Sequence, residues 1–152
     1  MYSLNLPSYD VKIRKNDFGL EIFDQLRRKY VALTPEEWVR QHFVNYLITD
    51  KNYPISLMQN EAGIKMNSLF RRCDTVVYNR YLDPIMIIEY KESNVQINQD
   101  VFDQIVRYNN VLKVGYIVVS NGLSHYCCKI DYKNQSYNFL SEIPNYNNLI
   151  RI

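Results

Sequence analysis

"IIEYKE", residues 87 to 92, closes an apolar run with two carboxylates around one ammonium. Glu89 and Lys91 are two apart, so on a strand they share a face. A related stretch lies just upstream: "RRCDTVVY", residues 71 to 78, starts charged and turns apolar, with Asp74 at the junction. Between the two, "NRYLDP" carries the turn residues Asn79, Asp83 and Pro84. A hairpin centred on that turn pairs Tyr78 with Ile85, and the same register sets Asp74 opposite Glu89. Cross-strand neighbours on one face have Cβ atoms roughly 4.5–5.5 Å apart. Two carboxylates that close repel unless a cation lies between them, and hard cations such as Mg²⁺ or Mn²⁺ take carboxylate oxygens. Lys91, beside them, suits orienting a water or steadying developing negative charge. An ordinary reading also exists. E-x-K is a common triplet where a strand leaves a core, and Asp74 has Arg72 on its own face as a partner. A one-residue slip in register would separate the carboxylates.

Around this hairpin the chain reads as α/β. "LTPEEWVRQHFVNYLI", residues 33 to 48, is a helix: Thr34 caps it, Pro35 suits its first position, and Glu37 completes a T-x-x-E capping box. Its apolar stripe is Val39, Phe43, Tyr46 and Leu47, while Glu37 and Gln41 share another face. "SLMQNEAGIKM" reads as a strand before the hairpin, separated from it by "MNSLF". "NQDVFDQIVRYNNVL", residues 98 to 112, is a second helix capped by Asn98, with Val101, Ile105, Tyr108 and Leu112 as its stripe. "VGYIVVSNG" is a buried strand ending in a glycine turn, and "HYCCKIDY" with "QSYNFL" forms a last hairpin. Residues 1 to 30 are weakly patterned and receive no assignment. An antiparallel meander followed by a crossover results, within a single domain spanning 1–152.

Composition narrows the function classes. The chain has 152 residues, 47% of them apolar, and a net charge of +2 from 18 basic and 16 acidic residues. That balance excludes a strongly basic tail and neither supports nor excludes a nucleic-acid partner. Three cysteines, two of them adjacent, do not read as a disulfide framework, and no C-x-x-C suggests zinc. Cys127 and Cys128 point to opposite faces of a strand, one of them into the core. His42 and His125 read as structural, and "SNG" is a turn rather than a phosphate loop. No signal peptide and no membrane span is legible, so a cytoplasmic protein with no membrane partner is expected. Lys12, Arg14, Lys15, Arg27, Arg28, Lys29, Arg71 and Arg72 read either as a phosphate-contacting rim or as scattered solvated charges.

The ordered series Asp74, then Glu89-Tyr-Lys91, then Gln104-x-x-x-Tyr108 resembles the PD-(D/E)xK nuclease superfamily. More narrowly, "YVALTPEEWVRQHFVNYLI", "RRCDTVVYNR", "IIEYKE", "FDQIVRYNNVLKVGYIVVSNG" and "HYCCKIDY" resemble the N-terminal nuclease domain of type I restriction enzyme R proteins, over roughly residues 28 to 142. The nearest likeness is to the small stand-alone version known from Bacteroidetes. D…ExK alone is a weak motif; the ordered set with Q-x-x-x-Y is far more specific. The resemblance implies a restriction-endonuclease-like core, a central mixed β-sheet flanked by helices. It implies Mg²⁺ or Mn²⁺ held by Asp74 and Glu89, with Lys91 catalytic. Gln104 matches the residue that orients the core groups, and Tyr108 the one that supports the helix or meets DNA. An acidic residue of the first helix often completes such a site; Glu37 is the candidate and Glu36 the alternative. Arg71 and Arg72 are further candidates for DNA contact. Cys73 stands where the superfamily motif often has Pro. No motor domain is legible, so ATP coupling is not expected within these residues. Implied partners are DNA, subunits of a restriction or defence system, and a second copy for a double-strand cut.

Overall fold

The computed structural model describes residues 2 to 150. Three strands come first: β1 (Ile13–Asn16), β2 (Gly19–Asp24) and β3 (Lys29–Ala32) form a small antiparallel sheet. Patterning assigned nothing here, and the structure shows why. These strands are four to six residues long, and β1 is exposed throughout, so no alternation marks a buried face.

Helix α1 (Pro35–Asp50) follows, with the Glu37 N–H donating to the Thr34 hydroxyl at 3.1 Å. The other half of the expected capping box does not form, because the Thr34 N–H donates to the Ala32 carbonyl and the Glu37 carboxylate is taken by Arg27 and Arg40. Its core-facing residues are Val39, Phe43, Val44 and Leu47. A six-stranded sheet then forms in sequence order from β4 (Met58–Met66), β5 (Leu69–Tyr78), β6 (Pro84–Tyr90), β7 (Tyr116–Ser120), β8 (His125–Asp131) and β9 (Ser136–Phe139). Every neighbouring pair is antiparallel except β6–β7, which helix α2 (Gln99–Asn109) joins by a crossover. A four-residue helix, α3 (Tyr146–Leu149), lies near the end. Among the described residues, no helix is long and apolar enough to cross a membrane.

Three details differ from the sequence reading. The β4–β5 turn is only Asn67 and Ser68, because the flanking "M" and "LF" extend the strands. Tyr78 pairs with Pro84 rather than Ile85, through a register shift next to Val77. On α2 the buried face is carried by Phe102 and Asn109, with Ile105 and Val106 half-buried, while Tyr108 is exposed. The predicted stripe was rotated by about one residue, because Tyr108 counted as core although its ring faces solvent.

The two helices cover opposite faces of the large sheet. On the α1 side, Val39, Phe43 and Leu47 pack with Met86, Ile88 and Val118. On the α2 side, Phe102 packs with Val76, Ile87, Ile117 and Val119. Cys127 belongs to the first layer and Cys128 to the second, so both cysteines are core.

Candidate active site

Strand pairing sets the site. Thr75 lies opposite Ile88 and Val76 opposite Ile87, so one further step along the ladder brings Asp74 to Glu89. The predicted register therefore holds at the carboxylates, although it fails at the turn. The Tyr90 N–H donates to Asp74 Oδ2 at 2.9 Å, which ties the Asp74 carboxylate to the end of β6. Glu89 is pushed up to about 9. Burial is the main cause, followed by the charge of Asp74 and a hydrogen bond to it; Lys91 opposes the shift without cancelling it. The Lys91 N–H donates to the Ser120 carbonyl at 2.9 Å, so Lys91 is held where β6 and β7 end together.

Beside this pair runs a buried polar network. Asp74's backbone carbonyl accepts from Arg40 Nη1 at 2.9 Å. Arg40 also donates from Nε to Glu37 at 2.6 Å and from Nη1 to Glu61 at 2.8 Å. Arg27 donates to Glu37 at 2.6 Å and pairs with Asp24 as well. Arg72 pairs with Glu61 at 3.0 Å, not with Asp74. From the other side, the Tyr90 hydroxyl donates to Thr75, Thr75 to Asn60 at 2.6 Å, and Asn60 to Asp24 at 2.9 Å. Three carboxylates and three guanidiniums thus balance, joining β2, α1, β4 and β5. Burial would raise Asp24, but hydrogen bonds from Arg27 and Asn60 outweigh it and hold the carboxyl below its usual range. Burial likewise opposes, and Arg72 and Arg40 outweigh, at Glu61, which is also lowered.

This network redefines Glu37. Only 5% exposed, its carboxylate is engaged by Arg27, by Arg40 and, at 3.2 Å, by Gln41. Glu36, the alternative, is exposed. Gln104 is also exposed, and among the described residues it makes no hydrogen bond to Lys91 or Glu89. Tyr108 and Arg71 do meet: the guanidinium lies 4.5 Å from the ring centre and Arg71 Nε donates to the Tyr108 carbonyl at 3.2 Å. The two histidines are structural. His42 bonds the Trp38 carbonyl, while His125 bridges Ser120 and the Asn5 carbonyl.

Sequence reasoning missed Asp24, Arg40, Asn60 and Glu61, and it read Arg27 as a rim or solvated cation where the structure pairs it with Asp24 and Glu37. Arg40, three residues after Glu37 on one helix, was readable as its partner. Asp24 lay in the unassigned stretch. Glu61 sits at φ 53°, a local backbone turn inside β4 that no strand pattern announces.

Among the described residues, no three His, Cys, Asp or Glu side chains are grouped to hold a metal ion. Asp74 and Glu89 are the donors that fit one best. Burial first and the Asp74 carboxylate second make Glu89 keep its proton, and a divalent cation between the two would relieve the part that is repulsion.

Comparison with known proteins agrees with this architecture. Residues 35–144 match the family described as type I restriction enzyme R protein N terminus. No curated protein matches the chain. A fragment structure described as an HsdR subunit of a type I restriction enzyme from Vibrio vulnificus YJ016 superimposes with a TM-score of 0.54 at 19% identity. The alignment covers 78% of this chain and 25% of that one, so this chain spans a quarter of that relative's length. At that identity the likeness is one of fold, and with the mixed sheet between α1 and α2 it gives the α/β restriction-endonuclease-like core that the motif order implied. By its match from residue 35 to residue 144, the chain belongs to the family of type I restriction enzyme R protein N-terminal regions.

Proposed function

We propose that this chain is a metal-dependent DNA endonuclease of a restriction or defence system, cutting phosphodiester bonds at Asp74, Glu89 and Lys91. The meeting of Asp74 and Glu89, with Glu89 pushed up to about 9, carries this reading. Asp74 and Glu89 would hold Mg²⁺ or Mn²⁺. Bound there, the cation would polarise a water and neutralise charge on the phosphate. The Tyr90 N–H and Arg40 fix the Asp74 side chain and backbone from two directions. Lys91 offers an ammonium to the charge that develops on the phosphate oxygens. Glu37 acts at one remove, holding Arg40 against the Asp74 carbonyl. Gln104, exposed on α2, stays outside this set, and Arg71, Arg72 and Tyr108 would meet the DNA backbone.

Incubation of the chain with supercoiled, linear and single-stranded DNA, with Mg²⁺, Mn²⁺ or EDTA, tests the reading. Nicking or linearisation is expected with cation and none with EDTA. Lys91→Ala should slow cutting about 10²–10³-fold, and Asp74→Asn should abolish it. One observation favours a second reading, a DNA-binding module that no longer cuts: Glu37 is engaged by guanidiniums, leaving two facing carboxylates rather than three. Binding of DNA by the wild type without cleavage under any cation would select it.

A further inference from the structure

The small N-terminal sheet has a free end. Residues 12 to 18 are all exposed, and Leu20 is 49% exposed, so β1 and the β1–β2 turn face solvent, while β3 flanks β2 as far as Leu20. Phe18 occupies its two-residue turn and is 98% exposed. Turn geometry does not ask for an aromatic, since such positions favour Asn, Asp and Gly, and nothing in the fold covers this ring. The β4–β5 turn, Asn67 and Ser68, shows the ordinary composition by contrast.

Cations outnumber acids over the small sheet as a whole. Lys12, Arg14, Lys15, Arg28 and Lys29 are exposed, against exposed Asp10 and Asp17. Glu21 is taken up by Arg14 at 2.8 Å. Lys12 and Arg14 are also seated over the rings of Phe23 and Tyr30, at 5.6 and 4.0 Å from the ring centres. At its other end the sheet is anchored to the candidate site, because Asp24 of β2 binds Arg27 and Asn60 within the network that holds Asp74. Five residue steps along β2 from Asp24 to Gly19 set the turn about 17 Å from that network.

We infer that this hairpin is a duplex-DNA contact arm, in which Phe18 enters a groove against the base pairs while Lys12, Arg14 and Lys15 meet the flanking phosphates. An exposed apolar wedge among cations is the chemistry by which proteins unstack or probe base steps. The inference rests on the nuclease reading for its substrate, but its test does not depend on cleavage.

Binding of the full chain to a fluorescein-labelled duplex is measured by anisotropy in EDTA over a salt series, beside a single strand of the same sequence. Phe18→Ala should weaken duplex binding about tenfold, with the salt slope unchanged. Lys12→Ala with Lys15→Ala should lower the slope of log K against log salt by about two. Both variants should keep the wild-type thermal midpoint, since these side chains are exposed. A duplex carrying 2-aminopurine should brighten with wild type and not with Phe18→Ala. Equal duplex affinity for wild type and Phe18→Ala overturns the arm and leaves the nuclease reading standing. An effect on the single strand alone, or wild type that binds no duplex, overturns it too. Cation-dependent cutting is scored separately, so loss of the arm and loss of the nuclease remain distinct results.

Discussion

Glu89 sits under opposing influences, and their sum has a measurable sign. Burial and Asp74 raise its carboxyl from the ordinary 4.5 to about 9, and Lys91 pulls the other way. A carboxyl raised in the folded state binds its proton more tightly there than in the unfolded chain. Its favourable contribution is therefore complete below about 4.5 and is lost as pH rises toward about 9. In EDTA, wild type should lose urea resistance across that window, and Glu89→Gln should flatten the decline and be the more stable of the two near the upper end. A steeper decline in Glu89→Gln would mean that the strain lies elsewhere. Asp74 calls for a gentler substitution. Alanine there would strip the acceptor from the buried Tyr90 N–H, whereas Asp74→Asn keeps an oxygen for it. The pair was legible in the sequence because side chains alternate with period two and each carboxylate stands where its apolar run meets charge; the register shift beside Val77 restores at Asp74 the pairing that the turn itself does not give. Gln104 was not placed by the same logic: a helix face is set by which side packs on the sheet, and α2 turns Gln104 and Tyr108 outward.

Arg40 ties helix α1 to two neighbouring strands of the large sheet. It reaches from α1 to β4 through Glu61 and to β5 through the Asp74 carbonyl, and its partner Glu37 reaches β2's turn through Arg27. Removing one member of such a buried set leaves the others charged and unmatched. Arg40→Met should cost about 3 kcal/mol in urea unfolding, and Glu37→Gln in the same chain should restore part of it. Additive losses would show that the two side chains act independently. Helices α1 and α2, the meander, the crossover and the final hairpin were readable, since each carries a cap, a period or turn residues. The small sheet was not. β1 is exposed along its whole length, and β2 buries only Ile22 and Asp24. Its position is fixed by the Asp24–Arg27–Glu37 contacts, which are tertiary and leave no periodic trace.

For the molecule as a whole, the candidate site lies where two layers and two sheets come together. β6 and β7 run parallel, and the chain leaves the carboxyl end of β6 for α2, the kind of crevice in which open α/β sheets place ligands. A cation held by Asp74 and Glu89 in the folded chain alone would stabilise the whole fold, by about 2.7 kcal/mol at a hundredfold excess over Kd. To bind, it must displace the proton that Glu89 keeps up to about 9. Apparent affinity should then rise by up to tenfold with each unit of pH increase until that value is reached. Thermal midpoints with and without Mn²⁺, taken at about pH 6 and about pH 8, should separate further at the higher pH. Lys91→Ala should keep that separation, because its ammonium is not a ligand. Asp74→Asn should lose it at both. Free protein is weakest where Glu89 is forced to ionise, so the same charge that destabilises the empty fold becomes the source of its stabilisation by cation. A midpoint shift equal at the two pH values, or retained in Asp74→Asn, would place the cation away from these carboxylates.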